Sequence, residues 1–383
     1  MKKKIIALFL SAAMVLSMTA CGSKTASTDT TGSNNNTVST SDTASTTDTN
    51  STADTSKDDA SKDDTSSGKT IRIGMVTDVG GVNDGSFNQS SWEGLQKAST
   101  DLGVEVKYLE SETDADYAPN IETFVDDDYD LIICVGYMLA DAMRASAEAN
   151  PDQKYAIIDD ASMTDLPNVT SLMFEQSQAS YLAGVVAAMS TKSNKVGLVL
   201  GMSNETMNQF GYGYLAGVLD TNPAVTVSQY DANAFGDTAV GKSAAVSMIT
   251  DGVDVIFHAA GGTGLGVIEG CKENNIWAIG VDTDQSPLAP KNMLTSAMKR
   301  VDTACYKIAE ACKEGNITSG VITYDLSSDG VDLAPTTDNL TDDIIAKVKD
   351  VKAKIISGEI SVPKTKDEFE AKYGDVYKLD DQK

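Results

Sequence analysis

Short apolar runs alternate with longer amphipathic segments from residue 70 onward. Runs such as TIRIGMVTD, LIICVG and KYAIID are rich in β-branched residues and almost wholly apolar, which is typical of strands buried on both faces. The segments between them are about 10 to 15 residues long and carry apolar residues at helical spacing. This alternation predicts parallel sheets joined by right-handed helical crossovers.

The alternation begins a second time at Lys195. The runs KVGLVLG, AVTVSQYD, VDVIFHAA and WAIGVD are the strands of this second cycle, again with helical segments between them. Two cycles of similar length predict an α/β protein of two Rossmann-like lobes. The C-terminal stretch LTDDIIAKVKDVKAKIISGEISVP predicts a charged amphipathic helix followed by a short strand.

The first helix has recognisable signals at both ends. Ser86 and Gln89 have the Ser-x-x-Gln spacing of a capping box, in which each side chain accepts or donates at the other's backbone. Gly103 is placed to end the helix in a left-handed conformation.

Residues 1–20 have the features of an export signal. Three lysines precede an apolar run that is too short for a stable membrane span. Met18-Thr19-Ala20-Cys21 resembles a bacterial lipobox, which predicts that Cys21 is lipidated and becomes the mature N-terminus. Acyl chains would hold the protein at a membrane surface. The alternative is an ordinary signal peptide with a chance cysteine.

Residues 21–68 form a segment of different composition. Ser and Thr make up 24 of the 47 positions after Cys21, and Val38 is the only branched aliphatic residue. Such a segment cannot bury enough apolar surface to offset chain entropy, so we expect a disordered tether.

Charge narrows the range of functions. The chain has 56 acidic and 30 basic residues and a net charge of −26. Subtracting +3 for the signal and −5 for the tether leaves −24 on residues 69–383, so the folded part is acidic. An acidic surface repels phosphate backbones, and nucleic-acid binding is therefore excluded.

Histidine and cysteine usage gives no metal or redox signal. The single histidine, His258, lies in an apolar strand and cannot form a multi-His metal site. The remaining cysteines are interpreted as buried small hydrophobic residues rather than a disulfide framework; they are Cys134, Cys271, Cys305 and Cys312. We predict neither a metal nor a cofactor.

Candidate binding residues follow the strands, because ligands of parallel α/β sheets bind beyond the carboxyl ends of the strands. These positions hold carboxylates, amides, glycines and aromatic rings with almost no cations. Carboxylates can accept hydrogen bonds from vicinal hydroxyls, and a ring can stack on a flat base or sugar face. The pattern favours a neutral, polyhydroxylated ligand with a flat ring.

A dinucleotide fingerprint is the competing interpretation. Gly262-x-Gly264 follows a strand and opens a helix, and Asp282 lies 20 residues after Gly262. Val267 occupies the position of the third glycine, and a pyrophosphate would enter a strongly acidic protein. A glycine loop that approaches an uncharged ligand is therefore favoured, and a plain tight turn remains open.

Six motifs resemble, in order and spacing, the basic membrane protein family. They are MVTDVGGVNDGSFNQSSWEGL, SYLAG, QFGYGYLAGV, AAGGTGLGV, IGVDTDQ and LTSAMKRV, and the resemblance covers roughly residues 70–365. Members are lipoprotein substrate-binding components of ABC transporters that bind purine and other nucleosides. The resemblance implies a type I periplasmic-binding-protein fold whose lobes close on ligand across a three-strand hinge. On that fold we expect residues 69–185 plus about 300–325 in the N-terminal lobe, and 186–299 plus about 326–365 in the C-terminal lobe.

The resemblance also implies site residues. Asp78 and Asn83 would make polar contacts, Phe87 would stack on the base, and Asp282 would hold the ribose hydroxyls. Gly261 and Gly262 would line the cleft, with Lys299 near the crossover. Phe235 is the second stacking candidate, with Phe210 as its alternative. Position after a strand or at the first helix adds Asn88, Tyr137 and one of the pair Asp159-Asp160, of which we take Asp160.

Structural interpretations of these residues remain open. Asp78 could cap a loop, Phe87 could belong to the core, and Asp282 could form a structural ion pair with Lys299.

The leading hypothesis is a monomeric, lipid-anchored receptor on the outer face of a bacterial cell membrane. It would capture a nucleoside by closing its lobes and pass it to an ABC permease driven by a separate ATPase, without catalysis. The alternatives are a sugar or signal-molecule receptor of the same fold and an exported hydrolase that acts on nucleosides.

Overall fold

The computed structural model describes residues 69–376, which form two six-stranded sheets with helices packed on them. The signal, Cys21 and the tether lie outside the described residues. The first sheet has the order β11-β5-β4-β3-β1-β2 and is parallel throughout. Its strands are β1 (Arg72–Val76), β2 (Glu105–Leu109), β3 (Leu131–Cys134), β4 (Tyr155–Ile158), β5 (Val169–Phe174) and β11 (Gly320–Tyr324).

The second sheet has the order β12-β10-β9-β8-β6-β7, and only β12 runs antiparallel to its neighbour. Its strands are β6 (Lys195–Leu200), β7 (Thr226–Asp231), β8 (Val255–Ala259), β9 (Trp277–Asp282), β10 (Met293–Lys299) and β12 (Val331–Leu333). The two orders are related position by position, so that β4 in one sheet corresponds to β9 in the other. The predicted α/β class with two Rossmann-like lobes is confirmed.

Ten α-helices occur within residues 69–376 and connect or cover these strands. They are α1 (Phe87–Leu102), α2 (Tyr117–Asp126), α3 (Ala140–Ala149), α4 (Gln176–Ser190), α5 (Glu205–Thr221), α6 (Thr238–Thr250), α7 (Gly261–Glu273), α8 (Val301–Lys313), α9 (Asp342–Ile356) and α10 (Lys366–Tyr373).

The chain passes three times between the two sheets. The passages are at Glu175, at Arg300 and through residues 325–330. Helix α4 packs against α5, β10 and β12, so it belongs to the second lobe, whereas α8 packs against α1 in the first. The expected boundary between residues 185 and 186 therefore falls inside α4, because the apolar α4 buries its surface on the second sheet.

The C-terminal prediction is half right. Helix α9 forms as expected, but residues 359–363 form no strand, and α10 was not predicted. Pro363 lacks a backbone N–H to donate to a sheet. Ile360 and Val362 instead pack singly against the core.

The contact between α4 and α5 depends on glycines. A Cβ atom at Gly217 would lie 2.0 Å from the carbonyl oxygen of Tyr181, and one at Gly184 would lie 2.2 Å from that of Tyr214. These helices therefore approach backbone to backbone, which brings Tyr181, Tyr214 and their neighbours into one buried layer.

Gly217→Ala should reduce the free energy of unfolding by about 2 kcal/mol or more, because overpacking outweighs the gain of roughly 1 kcal/mol in helix propensity. Urea unfolding of the chain expressed without residues 1–21 measures the change. Gly236→Ala is the matched control, since its Cβ would meet only the Val79 carbonyl oxygen, at 3.6 Å. Equal stability of Gly217→Ala and the wild type would contradict this packing argument.

Candidate functional site

A cavity lies between the lobes at the facing carboxyl ends of the two sheets. Its wall combines carboxylates, aromatic rings and one ammonium group. The lining residues are Asp78, Asp84, Phe87, Asn88, Gly136, Tyr137, Met138, Asp159, Met207, Phe210, Phe235, Ala259, Ala260, Gly261, Val281, Asp282 and Lys299.

The loop after β1 brings two carboxylates and an amide together. Asp78 Oδ1 accepts from the Gly80 backbone N–H at 2.8 Å and from Asn88 Nδ2 at 2.8 Å. Asp84 accepts from the backbone N–H groups of Ser86, Asn88 and Gln89 at 2.9–3.0 Å, and so covers the N-terminus of α1. A carboxylate at a helix N-terminus also complements the helix dipole.

The predicted Ser86–Gln89 capping box is wrong. Ser86 is at the N-cap position but makes no side-chain capping hydrogen bond, and Asp84 takes that role. The Ser86 hydroxyl is thereby free to point across the cleft, where it donates a hydrogen bond to Asp282.

Two carboxylates occupy corresponding places in the two lobes. Asp159 follows β4 and Asp282 ends β9, and both have left-handed backbones with φ of 66° and 64°. Aspartate adopts this conformation more readily than most residues other than glycine. It turns both side chains into the cavity at the point where each strand ends.

Lys299 is the one cation among the cavity-lining residues. It is 2% exposed and forms an ion pair with Asp159 of the other lobe. Its Nζ also lies 5.1–5.6 Å from the ring centroids of Phe87, Phe174 and Phe210, within the range of cation–π attraction. The expected alternative pairing with Asp282 is not the one formed, although Lys299 still favours the ionised form of Asp282 through charge.

Further polar contacts join the lobes around the cavity. Asn204 Nδ2 donates to the Tyr137 hydroxyl at 2.7 Å, and Gln285 Nε2 donates to the Gly85 carbonyl at 3.0 Å. Together with Ser86–Asp282 and Asp159–Lys299, these contacts hold the two lobes against each other.

Burial sets the protonation behaviour of the carboxylates. It raises the pKa of Asp78 to about 6 and that of Asp282 to about 7, although hydrogen bonds from Asn88 and Ser86 oppose the change. Burial also raises the pKa of Asp84, against the effect of its backbone donors. Burial in the cavity therefore destabilises the ionised form of these carboxyl groups, and the hydrogen bonds that they accept partly offset this effect.

Aromatic rings come from both lobes. Phe87 and Tyr137 belong to the first lobe, while Phe210 and Phe235 belong to the second. The Phe235 ring lies directly on Gly201, where a Cβ would be 2.2 Å from the ring, and its carbonyl approaches Gly261. Both candidates for the second stacking ring thus reach the cavity, Phe210 from the helix and Phe235 from the loop before α6.

Eight of the predicted site residues line the cavity. They are Asp78, Phe87, Asn88, Tyr137, Phe235, Gly261, Asp282 and Lys299. Gly262 is buried next to Asp84 and does not line the cavity.

Two predicted residues lie elsewhere. Asn83 is exposed, because the loop turns its neighbours Val82 and Asp84 inward. The Asp160 carboxylate accepts from the backbone and hydroxyl of Ser162 and closes a local turn, which corrects the choice made within the Asp159-Asp160 pair. The left-handed backbone of Asp159 explains why its side chain, and not that of Asp160, lines the cavity.

Sequence reasoning also missed Asp84, Met138 and Met207 in the wall. Asp84 carries a signal that could have identified it, since an aspartate just before a helix is itself a capping residue. Met138 and Met207 carry no sequence signal that could have identified them as cavity residues.

Other interpretations concern residues away from the cavity. The four cysteines within residues 69–376 are free and buried, as predicted. His258 is fully buried, and burial lowers its pKa to about 4. Within residues 69–376, no cluster of three or more metal-ligating side chains occurs, and no helix is both long and apolar enough to cross a membrane.

The two-lobed fold, with its cavity at the facing strand ends, defines a ligand-binding protein of the type I periplasmic-binding class. The chain belongs to the PnrA-like family of ABC transporter substrate-binding proteins, whose family model matches residues 71–366. The resemblance to the basic membrane protein family is thereby confirmed. Substrate-binding proteins of ABC transporters bind small molecules and work with permease and ATPase partners.

Relatives support the same family. A CD4+ T-cell-stimulating antigen of Listeria monocytogenes is 42% identical over 77% of this chain and 88% of its own. An ABC transporter nucleoside-binding protein, BmpA, of Lactococcus lactis is 37% identical over 76% of this chain and 89% of its own. Among solved structures, an ABC transporter solute-binding protein of Aeropyrum pernix has a TM-score of 0.72 and 28% identity, over 79% of this chain and 96% of its own.

The raised pKa of Asp282 makes stability depend on pH. A carboxyl group whose pKa is higher in the folded than in the unfolded chain binds more protons when folded, so its contribution falls as pH rises from about 4 to about 7. Asn keeps the shape without the charge, and Asp282→Asn should therefore raise the unfolding temperature at pH 7.5 and leave it nearly unchanged at pH 4.

Thermal unfolding of ligand-free protein at both pH values measures this difference. Asp152→Asn, at an exposed position, is the control for the general effect of removing one negative charge. A stabilisation equal at both pH values would show that charge burial at Asp282 is not its cause.

Proposed function

We propose that this substrate-binding protein captures a nucleoside, with a purine base, in the cavity between its lobes. The observation that carries the proposal is a single cavity whose lining combines aromatic rings from both lobes with four carboxyl groups, among which the buried Asp159 Oδ1 has no hydrogen-bond partner within residues 69–376. A nucleoside has the matching parts, a flat base and vicinal hydroxyls, on one uncharged molecule.

The charge of the wall favours an uncharged ligand. Four carboxyl groups line the cavity, and the one ammonium group there, Lys299, is already paired with Asp159. A phosphate would meet carboxylates at short range in a site largely removed from water, where repulsion is strong. We therefore infer that nucleosides are preferred over nucleotides.

The carboxylates of Asp159 and Asp282 are the groups that we expect to accept hydrogen bonds from the hydroxyls of the ligand. Asp159 Oδ1 is buried and has no hydrogen-bond partner among residues 69–376, while Asp282 receives the Ser86 hydroxyl on Oδ2. A buried acceptor without a partner loses free energy, so a ligand donor placed there gains more than at an exposed site. We assign the ribose hydroxyls to Asp282 and a donor of the ligand to Asp159.

Aromatic rings account for the base. Phe87 from the first lobe and Phe235 or Phe210 from the second can contact opposite faces of a flat ring only when the lobes are closed. Ligand contacts to both lobes favour closure by population shift.

The relative in Lactococcus lactis that is named as nucleoside-binding supports the same ligand class. The lipobox at Cys21 supports anchoring on the outer face of a bacterial cell membrane. Membership of a family of ABC transporter substrate-binding proteins supports delivery of the ligand to a permease.

A ligand screen by thermal shift tests the ligand class. Guanosine, inosine or adenosine at 100 times its Kd should stabilise the protein by about 2.7 kcal/mol. The corresponding 5′-monophosphates should give a far smaller shift, and ribose or arabinose alone should give none. A shift with free sugars and none with any purine nucleoside would replace this proposal with a sugar receptor.

Asp282→Ala tests the ribose assignment. Loss of a buried hydrogen-bonding partner should weaken guanosine binding about tenfold or more, and guanine binding much less. Isothermal titration calorimetry of both ligands measures the ratio. Asp160→Ala, whose carboxylate serves only a local turn, is the control. Equal losses for riboside and base would assign Asp282 a structural role.

A further inference from the structure

Gln285 links the two lobes immediately beside the cavity. It is 2% exposed and follows β9 by three residues. Its Nε2 donates to the Gly85 carbonyl of the first lobe at 3.0 Å. Gly85 directly precedes Ser86, whose hydroxyl reaches Asp282, so two adjacent residues of one lobe are held by Gln285 and Asp282 of the other.

The orientation of this amide is set inside the second lobe. Gln285 Oε1 accepts from the Val281 backbone N–H at 3.0 Å and contacts His258 Nε2 at 3.1 Å. Because a backbone N–H can only donate, the atom that faces it must be the amide oxygen, and Nε2 is left to face Gly85. The Gln285 backbone N–H also donates to the Ser296 hydroxyl oxygen at 3.1 Å.

His258 reinforces that orientation. Since the amide oxygen only accepts, the imidazole must carry its proton on Nε2. Its Nδ1 has no partner among residues 69–376 and faces Gly264, where a Cβ would lie 2.0 Å away. A proton on Nδ1 would be buried without an acceptor, so the tautomer follows from the packing.

We propose that Gln285 is a positioning residue for ligand capture, an amide oriented in advance by His258 and Val281 that fixes Gly85 when the cleft closes. The proposal rests on the proposed function, because it concerns closure around that ligand. Both partners of Oε1 lie in the second lobe, so the donor points toward the cleft before the lobes meet. Closure then requires no reorganisation of the amide.

Gln285 differs from the ligand-contacting residues in one respect that can be measured. It does not line the cavity, so it acts on the closed state of the protein rather than on any part of the ligand. Its loss should therefore weaken every ligand that closes the lobes by a similar factor. It should act on the dissociation rate, since the contact with Gly85 exists only after closure.

Gln285→Glu is the sharpest variant, because it keeps the size of the side chain and replaces the donor facing Gly85 with an acceptor. Stopped-flow binding of guanosine and guanine should show dissociation rates raised about tenfold or more, with association rates changed less than about twofold. Gln96→Glu, at an exposed position on α1, is the matched control and should leave both rates unchanged. If Gln285→Glu lowers the unfolding temperature of the ligand-free protein, Gln285→Met replaces it.

Unchanged dissociation rates in a folded variant would overturn the proposal, as would a loss confined to the riboside. Absence of binding by any nucleoside or base to the wild type would refute the proposed function instead.

The orientation of the Gln285 amide is tested separately by NMR of His258, because the chain has a single histidine and gives one imidazole spectrum. We expect a neutral ring protonated at Nε2 at pH 7, with and without guanosine, and a proton on Nδ1 would contradict the assignment.

Discussion

The ion pair between Asp159 and Lys299 is the interaction on which the arrangement of the cavity depends. It joins the first lobe to the second at the centre of a wall that otherwise contains only carboxylates as charged groups. A buried ammonium among four buried carboxyl groups is stable only with a partner at hydrogen-bond distance. The pair uses one oxygen of Asp159 and leaves the other buried and available.

The pseudo-symmetry of the lobes explains how such a wall arises. Corresponding strands end at the same edge of each sheet, so Asp159 after β4 faces Asp282 at the end of β9 when the sheets are opposed. Lys299 ends β10, and its counterpart Phe174 ends β5 and contacts it. The same topology therefore supplies a cation in one lobe and a ring in the other that contact each other, although only Lys299 of the two lines the cavity.

Much of this organisation could be predicted along the chain. Strand–helix alternation predicted the two sheets, and the rule that ligands bind at strand ends indicated the sheet edges where the cavity lies. The family resemblance predicted Asp78, Phe87 and Asp282 as site residues, and all three line that cavity. The two predicted site residues that lie away from the cavity were misplaced for the same reason. Asn83 and Asp160 lie beside lining residues, and which of two neighbours faces the cavity depends on one backbone torsion, such as the φ of 66° at Asp159. The crossing before α4 was misplaced because an apolar helix packs equally well, by its sequence, on either sheet.

By itself the sequence determined the fold class, the acidity of the folded part and the type of residues at each strand end, because these follow from local periodicity and composition. The family was indicated separately, by the resemblance of six motifs. Only the tertiary structure decided which partners those residues take. Lys299 pairs with Asp159 across 140 positions, Ser86 reaches Asp282 across 196, and the lone histidine contacts Gln285. Such choices depend on the distance and burial of groups from different lobes, which no local pattern encodes.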